Sequence, residues 1–128
     1  MPQVTKVFSG FSVDDIDAAR TFYSEVLGLS VKDEGMGLLS IALPSGGAVL
    51  VYPKPDHAPA VFTILNLQVP DVDAAVDELT ARGVTMERYP AMPHQDEKGI
   101  ARGRQSETGP DIAWFRDPAG NILSVLTP

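Results

Sequence analysis

Two histidines, several paired carboxylates and no cysteine make up the reactive inventory of this chain. A histidine can take up or deliver a proton near neutral pH. His57 falls within PKPDHAP (Pro53–Pro59) and His94 within RYPAMPHQDEKGIARGRQSETGPD (Arg88–Asp111). No carboxylate stands at a fixed spacing to orient either ring, so both are expected as exposed loop histidines. The pairs Asp14/Asp15 and Asp71/Asp73 each precede an apolar run of helical spacing, which suits helix caps and first-turn charges better than acid–base partners. Asp117 belongs to a DPAG turn. Without cysteine there is no disulfide, thiolate nucleophile or thiolate-bound metal. Neither a G-x-S-x-G nucleophile turn nor a phosphate loop is present. The cluster Lys98, Arg102 and Arg104 is diluted by Asp96, Glu97 and Glu107, and the net charge is −7. An acidic surface repels phosphate backbones, so no nucleic-acid partner is expected.

The elements that would position these groups come from a repeat. VDDIDAAR (Val13–Arg20) returns 56 positions later as VPDVDAAV (Val69–Val76). In each copy an alternating strand (Val4–Val13, Val61–Val69) meets an aspartate and then an amphipathic helix. The first helix should bury Ile16, Ala19, Tyr23 and Val26 and stop at Gly28. The second should bury Val72, Ala75, Val76 and Leu79 and stop at Gly83. Short strands follow: about Leu29–Asp33, Leu38–Leu43 and Ala48–Tyr52 in the first half, about Thr85–Tyr89, Ile112–Arg116 and Ile122–Leu126 in the second. Placing PSGG against DPAG sets IALPSGGAVLV (Ile41–Val51) 73 positions before WFRDPAGNILS (Trp114–Ser124).

The fold class expected is α+β: two tandem βαβββ modules forming a curved, partly open mixed sheet around a central cleft. At 128 residues the chain is read as a single domain, with module one about 1–53, a proline-rich linker about 53–60 and module two about 61–128. No apolar run has the length of a signal peptide core or a membrane span, so a cytoplasmic protein with no membrane partner is expected.

FSVDDIDAARTFYSEVLGL (Phe11–Leu29), VPDVDAAVDELTARGV (Val69–Val84) and FRDPAGNILSVL (Phe115–Leu126), together with the doubling, resemble the vicinal oxygen chelate superfamily. This group holds lactoylglutathione lyases, extradiol dioxygenases, fosfomycin-resistance enzymes and bleomycin-resistance binding proteins. The resemblance implies ligand places on the first and last strand of each module, for a divalent metal in those members that use one. Carried over, they are Phe8, Val51, Ile64 and Ser124. None is a histidine or a carboxylate, so no metal and no other cofactor is expected.

Strand parity then says what lines the cleft. Phe8, Gly10 and Ser12 share one face, as do Phe62, Ile64, Asn66 and Gln68. Val49, Val51, Ile122 and Ser124 are placed with them, and a charge is costly beneath a helix, which puts Arg116 and therefore Trp114 on that side too. These residues either line a pocket for a flat, partly apolar molecule or fill a collapsed groove or dimer seam. The function expected is metal-independent binding that sequesters a hydrophobic or aromatic compound such as an antibiotic. The rivals are a glyoxalase-like lyase, isomerase or dioxygenase, with His94 or a cleft polar group as acid or base, and a purely structural partner protein. The long Arg88–Asp111 loop has the length of a lid or binding segment, from which Tyr89, Met92, His94 and Ile100 could close over a ligand. The resemblance also implies a homodimer.

Overall fold

The computed structural model describes residues 1–92 and 94–128. The chain divides into two units, Met1–Pro59 and Ala60–Pro128. In the first, β1 (Ser9–Val13) leads to α1 (Ile16–Thr21), which runs directly into a π-helical turn (Phe22–Val26), and then to β2 (Ser30–Gly35), β3 (Leu38–Ala42) and β4 (Ala48–Pro53). The sheet order is β1-β4-β3-β2, with β1 parallel to β4 and the other pairs antiparallel. In the second unit, β5 (Thr63–Gln68) leads to α2 (Val72–Ala81), β6 (Ala101–Arg102), α3 (Gly103–Ser106), β7 (Asp111–Arg116) and β8 (Ile122–Thr127). Its order, β5-β8-β7-β6, repeats the first, again with the outer pair parallel. The expected α+β class and doubled βαβββ pattern are therefore present as two four-stranded mixed sheets.

Both helices begin on the expected aspartates. The Asp15 carboxylate accepts from the backbone N–H of Asp17 and Ala18, and that of Asp71 from Ala74, satisfying donors that have no partner within the helix. Both end before a glycine in the left-handed region, Gly28 at φ +68° and Gly83 at φ +89°, where a Cβ would be strained. Helix α2 buries Val72, Val76 and Leu79 as its spacing predicts. The first helix departs from its pattern. The Leu27 N–H reaches back five residues to the Phe22 carbonyl, and this wider turn brings Phe22 into the core beside Tyr23, their rings meeting edge to face at 5.4 Å. Under α1 lie Val13, Leu39, Ile41, Val49 and Val51; under α2 lie Ala113, Phe115, Leu123 and Val125.

Three expectations are corrected. Val4–Phe8 is not strand; β1 begins at Ser9. Thr85–Tyr89 makes a single bridge, Met86 to Phe115, with the Glu87 N–H donating to the Trp114 carbonyl at 2.7 Å; the strand that edges the second sheet is Ala101–Arg102 instead. The Arg88 guanidinium explains the diversion, since it donates to the carbonyls of Asp96 and Glu97 and commits this stretch to its own loop. The third correction is of register. The hairpins close with Ala42 opposite Ala48 and Arg116 opposite Ile122, equivalent pairs that stand 74 positions apart, not 73. The turn hydrogen bonds agree: Gly46 N–H to Leu43 and Leu43 N–H to Gly47 in one, Gly120 N–H to Asp117 and Asp117 N–H to Asn121 in the other.

Candidate functional site

On the second unit, the face of the sheet away from α2 carries six of the residues singled out from the sequence: Asn66, Gln68, Trp114, Arg116, Ile122 and Ser124. Asn66 and Trp114 each stand opposite Ser124, Arg116 stands opposite Ile122, and Gln68 opposite Leu126, so all share that face. Ser124 is fully buried and its hydroxyl donates to the Asn66 amide oxygen at 2.7 Å. Arg116 is engaged by the Glu87 carboxylate and donates to the Gly120 carbonyl at 2.9 Å, so its guanidinium is fixed at the edge of the face. Ile64 falls where the β5 register slips between Thr63 and Leu65; the bulge puts Thr63, not Ile64, opposite Ile122. Phe62 precedes the strand and is 66% exposed.

A cavity of about 200 Å³ opens here, walled by Phe62, Thr63, Tyr89, Met92, Trp114 and Ile122. Trp114 and Met92 also wall a second cavity of about 390 Å³, which adds His94, Ser106, Thr108 and Ile112. Tyr89, which strand parity could not place, packs edge to face on Trp114 at 5.5 Å. Its hydroxyl is shielded from solvent and has no hydrogen-bond partner among the described residues. Such an orphan costs about 1–3 kcal/mol. Burial pushes the Tyr89 phenol above its ordinary pKa, Glu87 adds to this, and Arg116 opposes it. The phenol therefore stays a protonated donor.

The segment bearing Tyr89 is pinned by Gln95. Its amide oxygen accepts from the Tyr89 N–H at 2.8 Å, and its amide nitrogen donates to the carbonyls of Glu87 and Gly99. Further along, Arg102 holds Asp73 of α2 through two nitrogens at 2.9 and 2.7 Å and Asp96 at 3.0 Å, and Lys98 reaches Asp77 at 3.1 Å. Two members of the basic cluster, Lys98 and Arg102, are thus spent on internal carboxylates that fasten the loop to α2.

On the first unit the outcome is mixed. Gly10 and Ser12 stand opposite Leu50 and Tyr52, on the face away from α1. Val51 does not: it stands opposite Phe11, whose ring meets Tyr23 at 5.6 Å, and it is wholly buried under the helix, as is Val49. The one-residue error in matching the hairpins moved every β4 side chain to the wrong face. At the correct spacing the counterpart of Ser124 is Leu50, and the pair Asn66–Ser124 mirrors Gly10–Leu50. Phe8 is 59% exposed, with the Lys6 ammonium 5.8 Å from its ring centre, and lines a cavity of about 510 Å³ with Leu38, Ser40 and Leu50. His57 is half-buried, not a bare loop histidine: its Nδ1 lies 2.7 Å from the Ser12 hydroxyl. The chain reaches it through a turn in which the Lys54 N–H donates to the Val13 carbonyl and the His57 N–H to that of Lys54. His94 is exposed and held at φ +69°, in the left-handed region.

A divalent cation on these faces would need carboxylate or imidazole donors. The strands offer hydroxyls and amides instead, and the Ser124 proton is already given to Asn66. Glu34, which lines the first unit's cavity, is held by the Ser40 hydroxyl at 2.8 Å. Among the described residues no group of three or more histidine or acidic side chains is placed to hold a metal ion. The four implied ligand places do not fit a metal.

A family model described as the Glyoxalase/Bleomycin resistance protein/Dioxygenase superfamily matches residues 7–125. Among solved structures, a member of that superfamily from Sphaerobacter thermophilus DSM 20745 is 26% identical, with 98% of each chain covered and a TM-score of 0.68. TnmS3, an antibiotic binding protein from Streptomyces sp. CB03234, is 24% identical over 99% of each chain at a TM-score of 0.67. The fosfomycin resistance protein FosX from Listeria monocytogenes is 12% identical over 99% of this chain and 95% of its own, also at 0.67. No curated protein matches the chain.

Proposed function

We propose that this chain, which belongs to the Glyoxalase/Bleomycin resistance protein/Dioxygenase superfamily, is a metal-independent cytoplasmic binding protein that sequesters a hydrophobic or aromatic small molecule of the antibiotic kind. One observation carries the reading. On the sheet face that carries Asn66, Trp114 and Ser124, with no carboxylate or imidazole at the implied ligand places, the second unit presents a cavity walled by Phe62, Tyr89 and Trp114. Aromatic walls bury a flat ring with little loss of side-chain freedom, and a few polar groups such as Asn66 and Gln68 can orient it. The likeness to an antibiotic binding protein agrees with this.

The test is a native mass spectrum of the protein purified without added metal or chelator. The expected species is metal-free, bare or with an organic adduct. A stoichiometric divalent metal overturns the reading. For any aromatic compound the protein holds, Trp114→Ala and Phe62→Ala should each weaken binding at least tenfold, and Phe8→Ala tests the first unit's cavity in the same way. Unchanged affinity in all three would move the site elsewhere.

A second reading rests on the contact between Ser12 and His57. A hydroxyl within hydrogen-bond reach of an imidazole is an acid–base pair, and so favours an enzyme of the superfamily that works without metal. Turnover that survives chelation and is lost in His57→Ala would put this reading first.

A further inference from the structure

We propose that Tyr89 sets the specificity of the second unit's cavity by donating its hydroxyl to an acceptor oxygen on the ligand, so that aromatic ketones and similar ring acceptors are preferred over bare hydrocarbons. The inference rests on the reading of this cavity as a small-molecule site. It starts from an imbalance. The Tyr89 ring is fixed by its edge-to-face contact with Trp114 and its backbone N–H is held by Gln95, yet the hydroxyl has no partner among the described residues. The neighbouring polar groups are committed. Arg116 is bound to Glu87 and to the Gly120 carbonyl, and the Gln95 amide bonds three backbone groups.

Of the walls, Val61, Phe62, Met92 and Ile122 are carbon and thioether surfaces, and the one wall hydroxyl, that of Thr63, makes no hydrogen bond to Tyr89. A donor already buried without a partner gains from any acceptor that arrives with the ligand, while a ligand without one gains nothing from it. Met92 shares the cavity wall with Tyr89, is 37% exposed on the turn that follows it, and has an unbranched side chain that can shift to let a ligand in. The raised pKa of the phenol keeps it a donor across the working pH range.

Two probes of one shape separate the acceptor from the ring: 1-indanone, which has a ring carbonyl, and indane, which lacks it. Trp114 is the chain's single tryptophan, so its indole N–H gives one resonance that reports on this cavity. Wild-type protein is expected to bind 1-indanone at least tenfold more tightly than indane. In Tyr89→Phe the two affinities should converge on that of indane, which itself changes less than twofold. The same variant, without ligand, should melt no lower than wild type, because it loses only an unpartnered hydroxyl. Equal affinities in wild type, or a preference kept in Tyr89→Phe, would overturn the inference while leaving the aromatic site standing. A lower melting temperature for Tyr89→Phe would overturn it as well, by showing that the hydroxyl already has a partner. If neither probe moves the Trp114 resonance, the small-molecule reading of the cavity fails and the inference fails with it.

Discussion

Arg102 holds three carboxylates within reach: Asp73 at 2.7 Å, Asp96 at 2.8 Å and Asp111 at 3.7 Å. Its hydrogen bonds to Asp73 hold that carboxyl below the usual carboxylate range, burial opposing this and the charge of Arg102 and Lys98 adding to it. A depressed native pKa stabilises the fold wherever the unfolded carboxylate is also ionised, above about pH 4. That contribution is lost as the pH falls through the lower native value. Because Asp73 is 42% exposed, solvent screening limits the effect to about 1 kcal/mol or less. Asp73→Asn is therefore expected to melt lower than wild type near neutral pH, with the gap closing as the pH is taken below about 4. Melting curves across that range check it, and a gap that stays constant would rule out the ion pair as its source. At this scale, alternation made Asn66, Ser124 and Trp114 readable as neighbours on one sheet face, because period-two geometry needs only a correct starting residue. Tyr89 was not readable in that way. It reaches Trp114 from a loop, and no periodicity governs which loop side chain turns inward.

Elements were legible wherever a local device marks them. The aspartate caps and the left-handed glycines placed both helices, and the doubled pattern placed the sheets. The register of the last hairpin was also written in the sequence. At a spacing of 74, Pro44 falls on Pro118 and Gly46 on Gly120, a match that the alignment of PSGG with DPAG passes over. The cost of missing it was the face of Val51. The segment before β6 was harder, because its order comes from side chains bonding distant backbone groups. Gln95 alone serves the Tyr89 N–H and the carbonyls of Glu87 and Gly99. Gln95→Ala should leave these half-buried groups without partners, at roughly 1–3 kcal/mol. It should also speed amide exchange at Tyr89 well beyond any change in the strands β7 and β8, since the loop would open by itself. Exchange at Tyr89 that keeps its wild-type rate would mean that the Trp114 contact, not Gln95, holds the segment.

At the scale of the molecule the open question is what covers its apolar edges. In each sheet the parallel strand stands outermost, β1 in one and β5 in the other. The residues leading into both are large, apolar and exposed: Val7 at 84% and Phe8 at 59%, Val61 at 91% and Phe62 at 66%. Edge strands flanked by such residues invite pairing, and natural proteins protect them by covering them. A second copy of the chain is the cover that the superfamily resemblance implies. The area allows it, since a standard interface takes about 800 Å² per partner, roughly a tenth of the 7856 Å² that one chain exposes. The protein is accordingly expected to be a homodimer in native mass spectrometry and in light scattering. Val7→Asp combined with Val61→Asp should shift it to monomer without unfolding it, because both side chains are already in solvent in the single chain. Loss of aromatic-ligand binding in that monomer would mean that a binding site is completed across two chains. Binding that persists would assign the cavity walled by Trp114 to one chain alone. A wild-type monomer would instead leave these edges as the place where a different partner docks.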